Sequence, residues 1–250
     1  MCIRDSIILV MTKLRDKTVL PQLTMPEKNG EVLYPFGPPV FRFEINHDII
    51  DMMVEEGKKN WNANIKDHRK RLAGHMREGT SVRLDGEVKD NADREIIQKV
   101  FEFFDVLTHN YGPGWPNIAK TLTNANNELL SLRLQQLWIN FQHKNDFNPL
   151  HDHSGVFSFV IFGDIDKKIF TENVPPTNSN MAGRFVATYG ERITPLQSNA
   201  FTLEPYKGLG LIFPAALQHY VPPFYTDFER VSISGNYVLE QAPPCLLYTS

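Results

Sequence analysis

Cysteine is almost missing from this chain. Its two cysteines, Cys2 and Cys245, stand within a few residues of the ends of the 250-residue sequence. The interior therefore has no disulfide framework and no thiolate metal site, which fits a reducing cytoplasm. Long apolar runs are missing too: none reaches the roughly 18 residues that a membrane span needs. No charge dominates either. Lys and Arg number 26 against 29 Asp and Glu, and the net charge of −3 gives no basic footprint for a nucleic-acid partner. Internal repeats and low-complexity tracts are absent, which excludes solenoids and linker-like arrays. What remains is an ordinary globular composition, 42% hydrophobic and 22% charged. The length suffices for one large domain, or for a core with a substantial appendage.

The ends stand apart from the rest. Met-Cys-Ile-Arg-Asp-Ser at the start and Cys-Leu-Leu-Tyr-Thr-Ser at the finish read as translated sequencing adapters. The apolar stretch Ile7–Met11 is too short for a signal-peptide core. Residues 1–8 and 244–250 are expected to be non-native extensions.

Between them the character of the chain changes once. The first part reads as helix-rich. Pro39–Ile45 alternates like a strand, Asn46 is placed to cap a helix running through Gly57, and a second helix is expected over Asn62–Met76. A third spans Ala92–His109 and meets the breaker Tyr-Gly-Pro-Gly-Trp-Pro at 111–116. The second part reads as strands: Leu132–Gln142, Ser154–Phe162, Arg184–Tyr189, Ala200–Leu203, Gly208–Phe213 and Arg230–Leu239. Many short strands without intervening helices indicate an antiparallel sandwich or barrel. With the boundary near 115–130, a helix-rich support region (9–128) precedes a β core (129–243).

Three separated motifs carry chemistry. The first is His151-Asp152-His153. In a strand, alternate side chains share a face, so His151 and His153 can converge on one ion while Asp152 points away. Neutral imidazole suits first-row transition metals, although a bare His-x-His is equally a polar hairpin. The second is His219, delivered by the apolar run Gly-Leu-Gly-Leu-Ile-Phe-Pro-Ala-Ala-Leu-Gln. Taken alone, it would be a hydrogen-bonded interior histidine. The third is Arg230-Val231-Ser232, eleven residues after His219. Arg230, Ser232, Ser234 and Asn236 share one face of an otherwise apolar strand, so that face meets either solvent or a polar cavity. An arginine fork binds a carboxylate, and a neighbouring hydroxyl adds another hydrogen bond.

Across residues 130–240 these motifs, in this order, resemble the 2-oxoglutarate/Fe(II)-dependent oxygenases of marine phages and bacteria. The similar segments are Trp138–Phe162, Phe213–Val221 and Arg230–Asn236. The resemblance implies a double-stranded β-helix (jelly-roll) core with the helix-rich N-terminal part packed against it. It implies a dioxygenase of the hydroxylase type that binds Fe(II), takes 2-oxoglutarate as cosubstrate and O2 as oxidant, and releases succinate and CO2. His151 and His219 match the two histidines of the metal triad, Arg230 the residue that grips the distal carboxylate of 2-oxoglutarate, and Ser232 the serine beside it. Residue 153 departs from the pattern, because the family usually has Asp or Glu there. Histidine leaves the iron one unit more positive, and Asp152 is the rival third ligand if the strand end twists.

Around this set, Asn140 and Gln142 share a face of the strand that enters His151, and either line the pocket or face solvent. Asn140 is counted among the cosubstrate-binding residues. The loop Thr171–Gly183 is a substrate lid or a plain insertion. The basic run Lys66, His68, Arg69, Lys70, Arg71 is a solvated helix face or a site for acidic partners. A bacterial or phage-infected cytoplasm is the expected location. Two competing readings keep the fold: a cupin-like metal enzyme without 2-oxoglutarate, and a non-catalytic binding or virion-associated jelly roll. Arg230-Val-Ser argues against the first, which needs no carboxylate clamp. No motif names the substrate.

Overall fold

The structure, a computed structural model, describes residues 30–33, 37–64, 66–77, 79–111, 130–172, 180–191 and 198–241. The proposed terminal extensions, the breaker at 112–116 and most of the boundary region lie outside these residues, as does the middle of the Thr171–Gly183 loop.

Among the described residues two helices lie in the first part. Helix α1 (His47–Asn62) starts where expected: the Asn46 side chain accepts from the Asp48 amide at 3.0 Å. Such a cap is worth about 1 kcal/mol. Ile50, Met53 and Gly57 form its buried stripe. Helix α2 (Glu87–Tyr111) buries Ala92, Ile96, Val100, Phe103 and Leu107, again at helical spacing.

The second expected helix, Asn62–Met76, does not form. Asn64 and Lys66 adopt positive φ (51° and 59°), which ends α1 in a left-handed break. Beyond it Asp67 bridges to Val82, and its carboxylate captures the Arg69 backbone and guanidinium. Only a single 3-10 turn, Arg69–Arg71, survives. The basic run therefore lies on an irregular segment, with His68 buried at 3% exposure rather than on a solvated helix face.

Among the described residues eleven strands build two antiparallel sheets. They are β1 (Gly30–Leu33), β2 (Val40–Glu44), β3 (Thr80–Arg83), β4 (Leu130–Gln142), β5 (Asn148–His151) and β6 (Phe157–Phe162), then β7 (Phe185–Thr188), β8 (Ala200–Leu203), β9 (Leu209–Pro214), β10 (Gln218–Val221) and β11 (Arg230–Gln241). The larger sheet has the order β1-β2-β9-β6-β11-β4-β3, the smaller β5-β10-β7-β8. From β4 to β11 the chain passes repeatedly from one sheet to the other, which is the jelly-roll path. The N-terminal strands only lengthen the larger sheet, β2 against β9 and β3 against β4.

Period-2 alternation divides the larger sheet into two unlike faces. Ile139, Phe141, Phe159, Ile161, Val231 and Ile233 join the core shared with the helices. The opposite face meets the smaller sheet, where Val160, Phe162, Phe185, Leu211 and Phe213 form a second core. Asn140, Gln142, Arg230 and Ser232 also sit on that inner face and are buried. The polar face of the Arg230 strand is thus turned inward, not to solvent. No helix among the described residues is long and apolar enough to cross a membrane.

Candidate active site

Strands β5 and β10 are neighbours, and their register sets His219 directly opposite His151. Neither strand is delimited by the sequence pattern, although extended backbone is expected at His151: each has only four residues, and one contains a proline. His153 arrives differently from the expected route. Strand β5 ends at His151, so 153 is not held by strand alternation; its amide instead donates to Ala215 O at 2.9 Å. The three rings close on one another, with centroids 4.4 Å apart for His151–His219 and 5.0 Å for each of the other pairs. One ring nitrogen from each lies within 4.8 Å of those of the other two. Asp152 lines the same cavity but is exposed and stands outside this cluster.

Backbone carbonyls fix two of the tautomers. His151 Nδ1 lies 2.7 Å from Pro149 O, and His219 Nδ1 lies 2.8 Å from Leu217 O. A carbonyl only accepts, so each Nδ1 carries the proton and donates it. The Nε2 lone pair is left free, as a metal requires. Apolar walls favour the neutral form of His153 and His219. Phe185 stacks on His219 at 5.4 Å, Phe213 meets its edge at 5.0 Å, and Trp138 packs on His153 at 5.7 Å. Burial above all, with the neighbouring His151, lowers the His219 pKa to about 3 and the His153 pKa to about 4. Both are therefore in the ligating form at neutral pH.

The cavity these histidines line encloses about 110 Å³ and runs inward past Phe162 to Arg230, Ser232 and Ser234. Arg230 is 1% exposed. Its Nη1 donates to Gln142 Oε1 and its Nε to Gly183 O at 3.2 Å, while Nη2 has no partner. The guanidinium lies over the Phe162 ring at 5.6 Å. Burial alone lowers its pKa to about 10, so it stays charged at pH 7. Among the described residues no carboxylate pairs with it. An uncompensated buried cation is costly, and such a group calls for an anion. Beside it a polar ladder crosses three strands: Ser81 Oγ donates to Asn140 Oδ1 at 2.8 Å, and Asn140 Nδ2 to Ser232 Oγ at 3.5 Å. Ser232 is then free to donate its own proton into the cavity.

The residues singled out from the sequence, His151, His153, His219, Arg230, Ser232 and Asn140, thus meet in one cavity. Asn236 does not join them; it is buried against Ser158 Oγ at 2.8 Å. Sequence reasoning missed Trp138 as the wall behind His153, the Gly183 carbonyl, and the segment Arg71–Gly74 with Met76 at the rim. Gly183 alone carries a local signal. Its φ of +62° and a virtual Cβ only 2.6 Å from Ile169 Cγ2 both require glycine there.

A jelly roll thus brings together a histidine cluster that could hold a metal ion and a buried, inward-facing arginine that could hold an anion. Residues 136–236 match the family described as "Putative 2OG-Fe(II) oxygenase". The matched segment carries the histidine cluster and Arg230, and the match indicates a 2-oxoglutarate- and Fe(II)-dependent oxygenase. No curated protein matches at the sequence level. Among solved structures, a Pseudomonas putida prolyl-4-hydroxylase is similar over 80% of this chain and 91% of its own, at 11% identity and a TM-score of 0.51. A Trichoplax adhaerens prolyl hydroxylase, solved with a hypoxia inducible factor peptide fragment, covers 85% and 84% at 9% identity and 0.45. JOX2, in complex with 2OG, Fe and JA, covers 84% and 72% at 13% identity and 0.48. The first of these shows the shared jelly-roll fold.

Proposed function

We propose that His151, His153 and His219 hold the Fe(II), and that Arg230 and Ser232 hold the distal carboxylate of 2-oxoglutarate. The observation that carries this reading is Arg230: a fully buried cation whose Nη2 is unpartnered, in the same cavity as the three clustered histidines. Bound there, iron would supply the O2-dependent oxidative decarboxylation of 2-oxoglutarate to succinate and CO2, one oxygen atom entering succinate and the other the hydroxylated substrate carbon. The chain's own residues bind, orient and exclude water. Pro149 O and Leu217 O hold two imidazoles with Nε2 toward the metal. Phe162, Phe185 and Phe213 keep the interior dry. Asn140, anchored by Ser81, sets the Ser232 hydroxyl to donate to the carboxylate.

Asp152, exposed and apart from the cluster, is assigned no ligand role. The cupin-like alternative leaves Arg230 without a purpose, and a structural jelly roll leaves both the arginine and the histidine cluster unexplained. The substrate is reached from the rim formed by Arg71–Gly74, Met76 and Asp152. The lack of a spanning helix among the described residues and of interior cysteines supports a cytoplasmic enzyme of a bacterium or phage-infected cell. A net charge of −3 supports a partner other than nucleic acid.

The test is an anaerobic titration with Fe(II) and then 2-oxoglutarate, watched in the visible range, followed by oxygen and a succinate assay. Binding of both and release of succinate are expected. Arg230→Ala should weaken 2-oxoglutarate binding by on the order of 100-fold with Fe(II) affinity retained. A protein that binds Fe(II) but forms no succinate would overturn the reading.

A further inference from the structure

Gln142, the last residue of β4, is the cross-strand neighbour of Arg230 and is fully buried. A guanidinium only donates, so the amide must turn its oxygen to Nη1. Its Nε2 is then left, like Arg230 Nη2, as a buried donor without a partner. The other groups that fix the guanidinium are the Gly183 carbonyl and the Phe162 ring. All three supports are neutral. Glutamate would fit the same space and satisfy the arginine better, by charge and by a charge-assisted hydrogen bond. It would also consume the positive charge. An incoming carboxylate would then have to displace an internal anion of its own sign, in a cavity where like charges repel strongly.

We propose that Gln142 is a positioning residue for the cosubstrate: its amide aims the Arg230 guanidinium, and its neutrality leaves that charge uncompensated for the 2-oxoglutarate carboxylate. The inference rests on the cosubstrate assignment made above for Arg230. It explains why a fully buried cation is tolerated with one polar hydrogen-bonding arm empty, and why the strand that supports the arginine ends in an amide.

The experiment uses the full chain loaded with Mn(II) in place of iron. Calorimetric titration reads 2-oxoglutarate affinity, and thermal melting reads the ligand-free, metal-free protein. Gln142→Glu should lower 2-oxoglutarate affinity by on the order of 100-fold while Mn(II) affinity is unchanged. The same variant should melt no lower than the parent, because the new carboxylate pairs a buried cation. A purely structural glutamine would give the opposite coupling, with melting temperature and affinity falling together, and that result overturns the proposal. Gln142→Leu removes the acceptor without supplying a charge; it should lose roughly tenfold in 2-oxoglutarate affinity, and it decides the matter if the Glu variant does not fold. Either variant binding 2-oxoglutarate as tightly as the parent also overturns it. If the parent takes up Mn(II) but no 2-oxoglutarate, the cosubstrate assignment itself falls; if the parent binds and the variants are unaffected, only the role of Gln142 falls.

Discussion

Residue 153 is where this chain departs from the commoner His-x-carboxylate pattern, and the departure can be tested directly. Its ring faces His151 and His219 at 5.0 Å from each, while Asp152 is exposed. His153→Ala should weaken Fe(II) binding by about tenfold or more, His153→Asp should retain it, and Asp152→Asn should have the mildest effect. Metal titrations of the three variants check the ranking, and the reverse order would make Asp152 the ligand. A second residue-scale effect follows from protonation. His153 and His219 have folded pKa values near 4 and 3, below the ordinary 6.5. The unfolded chain therefore takes up protons first as the pH drops. The stability of the metal-free protein should be fully present above about pH 6.5 and be lost as the pH falls toward 4. Melts across that range check it. His219→Asn should flatten the dependence, and a flat profile in the parent would contradict the burial of these rings.

At the scale of elements, the approach of α1 to the larger sheet depends on one missing methyl group. A Cβ at Gly57 would stand 2.6 Å from Ile139 Cγ2 and 3.1 Å from the Phe141 ring. Alanine normally favours a helix interior by roughly 0.5–1 kcal/mol over glycine. Here overpacking costs about 1–3 kcal/mol, and because the contacts are branched or aromatic core groups, the cost wins. Gly57→Ala should lower the melting temperature by a few degrees, at roughly 2–4 °C per kcal/mol for a chain of this size. A rise would mean that α1 sits farther from the sheet. Elements also explain where sequence patterns failed. The region after Asn62 contains good helix formers, but local hydrogen bonding by Asp67 and a left-handed Asn64 compete successfully with the helix. The four-residue strands β5 and β10 are too short to show a period. They exist because each pairs with a neighbour distant in sequence.

At the scale of the molecule, metal binding at the proposed site would be coupled to the fold, since the three histidines come from the end of β5, the following loop and β10. Metal bound only by the native arrangement stabilises it by about 2.7 kcal/mol at a hundredfold excess over Kd. That corresponds to a rise of roughly 5–10 °C in melting temperature. Chelator should reverse the rise, and His219→Ala should abolish it. An equal rise in that variant would place the metal elsewhere.

The sequence by itself determined the parts of this protein that local chemistry encodes. The Asn46 cap, the helical stripes of α1 and α2, and the alternation in β4, β6 and β11 follow from side-chain spacing and backbone hydrogen bonding within a few residues. The ordered histidines and Arg230-Val-Ser carried the resemblance to the oxygenases, because the chemistry proposed for them depends on side-chain type and order whatever surrounds them. Only the tertiary structure decided which way the polar face of the Arg230 strand turns, because both faces of a sheet strand are equivalent until something packs on them. Only it showed that His153 is held by the Ala215 carbonyl rather than by a strand, and that neutral Gln142 rather than an acid stands beside Arg230. Those pairings join residues dozens of positions apart, and no local pattern can encode a contact that exists only once the two sheets have closed.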